Sequence, residues 1–492
     1  MKVNKHLFVF LLLALTGGAC SDVPVVLEFV STTEDSFWEI QPLLKPGDVA
    51  ETVDVVINPA HTRQTMEGFG TCFNELGWTS LNVLEPQVRE DILKELFSPG
   101  AGANFTVCRM PIGANDFALD WYSYNETEGD FEMKDFSIDN DRKTLIPFIR
   151  SAQSYLPGIR IWASPWSPPS WMKHNKHYAS RSTMAMARRL AGQSGSTYMT
   201  RVVDNGLPED REGSEGTDMF IREEAYLKAY ALYFSRFIEA YRAEGIDIFA
   251  VMPQNEFNSA QIFPSCCWTA AGLADFMGNY LGPAMEEAGV EVMFGTMERA
   301  NELLADTILT HPAAGPYIRG VGFQWAGKAA LPGIHARYPH LRLYQTEQEC
   351  GNGKNDWKGA VYSWNLMKHY LNNGVTAYLY WNTSLMQGGI SRWGWAQNSL
   401  VVVNEDKTFA YTPEYYVMKH LSHYVQPGAR RLQAEGTYND LLAFINPDNT
   451  IVVVAGNEEA ADRTVRIRVG ENIYSPLLKA NSLNTLLIQA KL

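Results

Sequence analysis

Short apolar runs alternate with amphipathic stretches along most of the chain. Eight runs have the length and the β-branched or aromatic content of buried strands, and they cover residues 67–73, 105–111, 160–165, 248–253, 291–295, 320–325, 342–346 and 377–381. Apolar residues recur at helical spacing between them, in residues 84–97, 145–155, 222–243, 271–288 and 357–372. Eight strand–helix alternations predict an α/β fold, a closed (β/α)₈ barrel over residues 67–426, rather than an open doubly wound sheet.

The C-terminal part of the chain changes to short strand-like runs that are separated by turn residues. Runs at 441–445, 451–455, 464–469 and 485–488 predict a small antiparallel β domain over residues 427–492, to which residues 51–66 would add a strand. Residues 21–50 are polar, contain Thr and Pro, and are interpreted as a lead-in. The polar segment 180–217 lies on the active-site side of a barrel. It is either a loop that shapes the substrate site, which we favour, or a tolerated insertion.

The N-terminus has the pattern of an export signal. Lys2 and Lys5 precede an apolar run at 7–15, and small residues lead into Cys20. The apolar run is too short to span a bilayer as a helix. A signal of residues 1–20 that ends on cysteine predicts a bacterial lipoprotein with Cys20 lipidated. The protein would then be held at the outer membrane or in the periplasm, with the lipid as its only membrane contact; plain secretion is the alternative.

Composition excludes several classes of function. The net charge of −14 and the pI of about 5.3 argue against a nucleic-acid partner, which requires a basic surface. No G-x-G-x-x-G follows the first predicted strand, so a dinucleotide cofactor lacks its usual support. The five cysteines other than Cys20 have no zinc or redox spacing, which predicts buried thiols and no metal site. The 13 tryptophans can either stack on sugars or fill the core.

Two glutamates end strand-like runs of the predicted barrel. Glu256 follows the fourth predicted strand and Glu347 ends the seventh, and barrel active sites are built at the C-terminal ends of strands. Two carboxylates about 5 Å apart hydrolyse a glycosidic bond with retention and without a cofactor. Glu349 lies two residues after Glu347, so strand alternation points both to one face and leaves the choice open. The alternative for such glutamates is to cap the following helices.

Several segments carry a family resemblance. Residues 67–75, 163–173, 254–256 and 346–347 read EGFGTCFNE, ASPWSPPSWMK, QNE and TE, and RMPIG and DF follow at 109–113 and 116–117. These segments resemble glycoside hydrolase family 30, which includes lysosomal glucosylceramidase and microbial β-1,6-glucanases. The resemblance implies a barrel with a β-sandwich built from both chain ends. It also implies a retaining hydrolase for β-linked glucose in an oligosaccharide, a glucan or a glycolipid.

Other activities stay open at this stage. Within the family, the alternatives are a β-xylosidase, a β-fucosidase or a β-1,6-galactanase, which differ in how the pocket treats the 4- and 6-hydroxyls of the sugar. A non-catalytic, glycan-binding lipoprotein is the alternative from another class. The complete pair of carboxylates argues against it, because binding alone requires no such pair.

The resemblance assigns the catalytic roles. It implies that Glu256 is the acid/base and that Glu347, rather than Glu349, is the nucleophile. Arg109 would lie beside Glu347 and keep it ionised. Some relatives carry a tyrosine that bonds the nucleophile, but Ala326 occupies that place here. Either another residue orients the nucleophile or the site differs in shape.

The resemblance also implies a set of substrate-binding residues. Glu75 would accept hydrogen bonds from remote hydroxyls of the sugar, although it could instead form an ion pair with Arg109. Asn255 would contact the 2-hydroxyl. Aromatic side chains would line the sugar site, at Trp166, Trp325 and Trp381.

Overall fold

The computed structural model describes residues 25–47, 52–190 and 201–489. The predicted signal at residues 1–20, with Cys20, lies outside these ranges. Within them, no helix is both long and apolar enough to cross a membrane. The cysteines within these ranges are all buried free thiols.

The strands lie in two large sheets and two small ones. In chain order they are β1 (Val25–Thr33), β2 (Glu39–Ile40), β3 (Val55–Thr65), β4 (Gly68–Cys72), β5 (Val107–Pro111), β6 (Arg160–Ser164), β7 (Ile248–Val251), β8 (Glu291–Met297), β9 (Ile318–Gln324), β10 (Arg342–Glu347), β11 (Ala377–Asn382), β12 (Ser384–Met386), β13 (Val401–Val403), β14 (Phe409–Tyr411), β15 (Arg430–Gly436), β16 (Leu441–Ile445), β17 (Thr450–Asn457), β18 (Arg463–Thr464), β19 (Ile467–Val469), β20 (Asn472–Tyr474), β21 (Leu477–Leu478) and β22 (Ser482–Gln489).

The helices alternate with the barrel strands. In chain order they are α1 (Glu75–Leu81), α2 (Pro86–Phe97), α3 (Leu145–Tyr155), α4 (Thr183–Leu190), α5 (Glu224–Ala243), α6 (Ala270–Phe276), α7 (Gly282–Ala288), α8 (Glu302–Leu309), α9 (Leu331–Arg337), α10 (Trp357–Asn372) and α11 (Pro413–Ser422).

Strands β4 to β11 form a closed parallel barrel, which confirms the predicted fold. The barrel closes where β11 pairs with β4. The strands are buried along nearly their whole length because helices cover them from outside. In β4, any side chain at Gly70 would overlap the carbonyl oxygen of Val107 on β5, so glycine allows the close approach of these two strands.

The helices bury one face against the barrel. In α5 the buried side chains include Leu227, Tyr230, Phe234, Phe237 and Tyr241, which recur every three or four residues. This spacing matches the helical turn and produced the sequence prediction for this segment. The helices therefore surround the barrel with an apolar layer.

The side domain is a nine-stranded, mainly antiparallel sheet with the order β2-β1-β22-β17-β16-β15-β3-β19-β20. Strands near the two edges of this sheet, such as β1 and β20, contribute residues to one apolar core, as expected for a sandwich. In β16, Leu441, Ala443 and Ile445 enter that core, whereas Leu442 and Phe444 join the core of the barrel. Strand alternation therefore gives the side domain two buried faces and fixes it against the barrel.

The interpretation of residues 21–50 as a lead-in was wrong for part of that segment. Strand β1 pairs with β22 along its length and belongs to the side domain. Val26 and Phe29 enter the sandwich core, but the polar residues Ser31 and Thr32 are also buried. Thr32, for example, hydrogen-bonds the His420 ring at 2.8 Å. Polar residues with buried partners look like loop residues in a sequence, which explains the error.

Candidate active site

A pocket of about 260 Å³ opens at the C-terminal ends of the barrel strands. Its wall combines carboxylates, amides, an arginine and aromatic rings, contributed by Asp116, Trp166, Glu256, Gln261, Phe263, Glu298, Arg299, Trp325, Glu347, Trp395 and Gln397. The two predicted catalytic glutamates therefore share one cavity. It lies at the end of the barrel where enzymes with this fold carry out their chemistry.

Glu256 lies in the segment that follows β7. Its backbone is left-handed, with φ of 50°, which is uncommon for a residue with a side chain. The Glu256 N–H donates to Thr296 Oγ1 at 2.9 Å and so holds this conformation. The carboxyl group is buried and accepts from Gln324 Nε2 (3.0 Å) on Oε1 and from Gln261 Nε2 (3.1 Å) on Oε2. The local backbone thus directs the carboxyl group into the pocket.

Glu347 is the last residue of β10. Its carboxylate accepts more hydrogen bonds than that of Glu256, and one of them comes from a charged group. Its Oε2 accepts from Arg109 Nη1 at 3.0 Å and from Gln324 Nε2 at 3.2 Å. Its Oε1 accepts from Trp325 Nε1 at 3.0 Å. Hydrogen bonds to ionised groups are strong, so these donors hold the carboxyl group in place and favour its charged form.

Gln324 links the two carboxyl groups and was not among the predicted site residues. Its Nε2 donates to both glutamates, so the Glu256 Oε1 and Glu347 Oε2 atoms cannot be further apart than the two bonds together, about 6.2 Å. Its own carbonyl oxygen accepts from Thr346 Oγ1 at 2.9 Å and from Arg109 at 3.4 Å. These donors orient the amide so that its nitrogen faces the carboxyl groups. The position of Gln324 at the end of β9 was the available sequence signal.

The electrostatic environments of the two glutamates differ. Burial raises the pKa of Glu256 well above its usual range, and the charges of Glu298 and Glu347 raise it further. Burial also raises the pKa of Glu347, but the Arg109 charge and the hydrogen bond from Trp325 oppose that rise. Glu256 is therefore suited to hold a proton and Glu347 to stay ionised. Environments that separate two titrations in this way favour different roles for the two carboxyl groups.

Arg109 lies where the sequence placed it, beside Glu347. The side chain is fully buried on β5 and donates to Glu347, to Ser164 Oγ at 2.9 Å and to Asn255 Oδ1 at 2.7 Å. Its guanidinium carbon lies 4.3 Å from the centre of the Trp166 ring. Because the Asn255 oxygen accepts from Arg109, the nitrogen of that amide is directed away from the arginine. Asn255 is thus prepared to donate to a ligand.

Of the predicted tryptophans, Trp166 and Trp325 line the pocket, whereas Trp381 lies behind Trp166 and bonds Asp116, a carboxylate that was noted only as part of a motif. The Trp166 and Trp381 rings stack with centres 5.1 Å apart. Trp381 Nε1 donates to Asp116 Oδ2 at 3.3 Å, while Asp116 Oδ1 is buried without a hydrogen-bond partner. Burial and the Glu347 charge raise the pKa of Asp116. A buried carboxyl oxygen without a partner, in the wall of a pocket, is suited to bind a ligand hydroxyl.

Glu75 does not take the place predicted for it. It begins α1, and its Oε2 accepts from the Leu119 N–H at 2.9 Å. Its Oε1 accepts from Asn140 Nδ2 at 3.0 Å and from Thr144 Oγ1 at 3.2 Å. The side chain turns away because β4 has ended and the helix has begun, so the carboxylate binds a neighbouring loop. Asp116 supplies the carboxylate in the pocket wall instead.

Glu349 also lies elsewhere. It pairs with Lys328 Nζ at 2.5 Å and accepts from the Tyr362 hydroxyl at 2.5 Å. The alternation rule holds only within a strand, and β10 ends at Glu347. The two glutamates therefore diverge although they are two residues apart.

The open question about Ala326 has a direct answer in the geometry. Trp325, one residue earlier, donates its indole N–H to Glu347 Oε1. Its backbone is left-handed, with φ of 47°, and starts a short 3₁₀ turn directly after β9. This backbone brings the ring to Glu347. Trp325 and Gln324 together orient the Glu347 carboxylate, so Ala326 is not required for that purpose.

We expect Trp325→Phe to lower kcat by about 10- to 100-fold, because it removes a hydrogen bond to a charged group. Since that bond lowers the pKa of Glu347, its loss should also move the acid limb of kcat/KM to higher pH. Both are read from rate–pH profiles. Trp357→Phe is the matched control, because the Trp357 indole N–H is buried without a hydrogen-bond partner. An unchanged acid limb in Trp325→Phe would contradict the role.

Two protein-family models match this chain. The model of the glycosyl hydrolase family 30 TIM-barrel domain matches residues 66–206 and 212–425. The model of the glycosyl hydrolase family 30 beta sandwich domain matches residues 428–486. The two matches meet at the boundary between the barrel and the side domain.

The chain is also similar over most of its length to curated proteins and to solved structures. Lysosomal acid glucosylceramidase of Mus musculus is 25% identical over 436 residues, which is 83% of this chain and 78% of that protein. Endo-1,6-beta-D-glucanase neg1 of Aspergillus fumigatus is 27% identical over 430 residues, 82% of this chain and 81% of that one. Among solved structures, the endo-beta1,6-glucanase BT3312 has a TM-score of 0.77 at 25% identity, covering 96% of this chain and 100% of that one. SrfJ from Salmonella typhimurium has a TM-score of 0.81 at 22% identity, covering 94% and 99% respectively.

Proposed function

Because this chain belongs to glycoside hydrolase family 30, we propose that it hydrolyses β-linked glucose with retention of configuration. In this proposal Glu347 is the nucleophile and Glu256 is the acid/base. The substrate is a β-glucoside within an oligosaccharide, a glucan or a glycolipid. The names of the mouse glucosylceramidase, of the Aspergillus fumigatus endo-1,6-beta-D-glucanase and of the endo-beta1,6-glucanase BT3312 support glucose as the sugar.

The observation that carries the proposal is the amide of Gln324, which donates to both carboxyl groups. Its two bonds keep the facing oxygens within about 6.2 Å. Retaining glycosidases separate their carboxyl groups by about 5–5.5 Å, whereas inverting ones need roughly 6.5–9.5 Å to fit a water between them. The short separation favours direct attack by one carboxylate on the sugar.

The two half-reactions follow from the protonation states. Glu256, whose pKa is raised, gives its proton to the glycosidic oxygen while Glu347 attacks the anomeric carbon. The departing alcohol leaves a glycosyl–Glu347 ester. Glu256 is now ionised, and it takes a proton from the water that attacks this ester. Hydrolysis frees Glu347, and two inversions give net retention.

The sugar that remains on the enzyme would lie on the side of Asp116 and the stacked tryptophans. The free oxygen of Asp116 can accept from a hydroxyl remote from the reaction. The Trp166 ring lines the pocket and can stack on the sugar. Asn255 can donate its amide N–H to the 2-hydroxyl, because its oxygen is bound to Arg109. This arrangement uses the chain's own groups and requires no cofactor.

The test is the configuration of the first product, followed by NMR during hydrolysis of 4-nitrophenyl β-D-glucoside. We expect β-glucose to appear first and then mutarotate. Initial α-glucose would refute retention. Comparing kcat/KM for the β-glucoside, β-xyloside, β-galactoside and β-fucoside tests the sugar. Glycan binding without turnover of any of them would favour the non-catalytic alternative.

A further inference from the structure

The pocket wall beyond Glu256 is formed by two charged residues that directly follow β8. Glu298 and Arg299 both line the pocket. Glu298 is only 7% exposed, while Arg299 is more open, with 45% of its side chain accessible. Arg299 pairs with Glu298 at 2.5 Å through Nη1 and with Glu215 at 3.1 Å through Nη2. Glu215 belongs to the long polar segment 180–217, so this segment contributes to the rim of the pocket.

A chain of hydrogen bonds places Glu298 next to the acid/base. Gln261 Nε2 donates both to Glu256 Oε2 at 3.1 Å and to Ser259 Oγ at 2.7 Å. The Ser259 hydroxyl in turn bonds Glu298. Because the acid must reach the glycosidic oxygen, groups beside Glu256 face the leaving group. Asp116, which bonds Trp381 and lies near Glu347, faces the other side of the scissile bond.

Both oxygens of Glu298 lie against Arg299. Arg299 Nη1 donates to Oε1 and also lies 2.5 Å from Oε2, with which it forms an ion pair but no hydrogen bond of good angle. A carboxylate oxygen can accept more than one hydrogen bond, so Oε2 can still accept from a ligand hydroxyl. An alkyl chain would cover the carboxylate and offer it no donor.

The other residues of this wall also suit a sugar. Gln261 and Gln397 offer amides, and the Phe263 and Trp395 rings lie edge to face with centres 6.1 Å apart. Flat rings beside polar groups match the apolar face and the hydroxyl rim of a pyranose. Arg299 of this wall is already paired with two carboxylates, so a neutral sugar fits better than an acidic one.

We propose that Glu298 and Arg299 form the binding site for the leaving group and that they select a neutral sugar there, so that the substrate is a glucan or oligosaccharide rather than a glycolipid. This inference rests on the proposed retaining β-glucosidase function. It adds to that function the chemical class of the leaving group. Glu298 supplies an acceptor for a sugar hydroxyl, and Arg299, which has five N–H donors, supplies those that it does not give to Glu298 and Glu215.

The test compares two glucosides whose leaving groups need the same acid assistance. Gentiobiose, a β-1,6-linked disaccharide, releases glucose from a primary hydroxyl, and octyl β-D-glucoside releases a primary alkyl alcohol. Changes at the acid/base affect both substrates, so the ratio of their kcat/KM values reports recognition of the leaving group. We expect the wild type to favour gentiobiose and expect Glu298→Gln and Arg299→Met each to lower the ratio at least about tenfold.

Glu239→Gln is the matched control, because it removes an exposed carboxylate from a surface ion pair on α5. It should leave the ratio unchanged. A wild-type preference for octyl glucoside, or a ratio that neither pocket variant alters, would overturn this inference while leaving the retaining β-glucosidase standing. Failure to hydrolyse either glucoside would overturn both proposals together.

Discussion

Glu347→Gln should lower kcat by roughly 10⁴-fold or more on every β-glucoside, because no covalent intermediate can form. The amide nearly matches the carboxylate in size, so the buried site should keep its shape. The change removes the charge that Arg109 and Trp325 bind at 3.0 Å each. Steady-state rates on 4-nitrophenyl β-D-glucoside measure the loss.

A covalent trap identifies the same residue independently. Incubation with a 2-deoxy-2-fluoro-β-glucoside that carries a good leaving group should add one fluoroglucosyl unit, located by peptide mapping on Glu347. Glu349→Gln is the control, and it should label normally and stay within a few-fold of wild-type activity, because Glu349 binds Lys328 rather than the pocket. Label on Glu349, or wild-type rates in Glu347→Gln, would overturn the assignment.

Glu256→Ala should have the second largest effect, and its size should depend on the leaving group. Substrates with a basic leaving group, such as gentiobiose, should lose roughly 10³-fold or more in kcat/KM, because they require the proton. Dinitrophenyl β-glucoside should lose far less in this first step. Azide should then restore turnover on the activated substrate and yield β-glucosyl azide. An equal loss on both substrates, or α-glucosyl azide, would contradict the acid/base role.

The pH dependence gives a further measure of the same role. Glu256 must be protonated for the first step, so kcat/KM should fall as the pH rises through its pKa. Burial and the neighbouring carboxylates raise that pKa well above the usual range, and the alkaline limb should be displaced accordingly. In Glu256→Gln this limb should disappear on the activated substrate. A retained alkaline limb in that variant would assign it to another group.

The fold could be read from the chain because it follows from local periodicity. Each barrel strand is a short apolar run, and each overlaps a predicted one. The failures occurred where polar side chains are buried with partners. Strand β1 was missed because Thr32 meets His420, a residue far away in the chain. Patterns of hydrophobicity register burial of apolar groups but not of satisfied polar ones.

The site was predicted in part. The structure brings Glu256, Glu347 and Arg109 together at the barrel mouth, with Trp166 beside them. The positions of Glu256, Glu347 and Trp166 at or just after strand ends were visible in the sequence, and the barrel gathers such ends at one face. Arg109 lies in the middle of β5, and its long side chain reaches Glu347. Glu75 was misplaced because its side chain direction depends on where β4 stops and α1 starts.

By itself, the sequence determined the barrel, the side domain and the pair of carboxylates, because strand periodicity and strand order are properties of the chain. Only the tertiary structure decided which groups surround that pair. Gln324 bridges the glutamates, Trp325 donates to Glu347, and Asp116 presents to the pocket a buried oxygen without a hydrogen-bond partner. These contacts join residues that follow different strands. Their directions depend on backbone turns beyond the strand ends, where no periodic pattern constrains them.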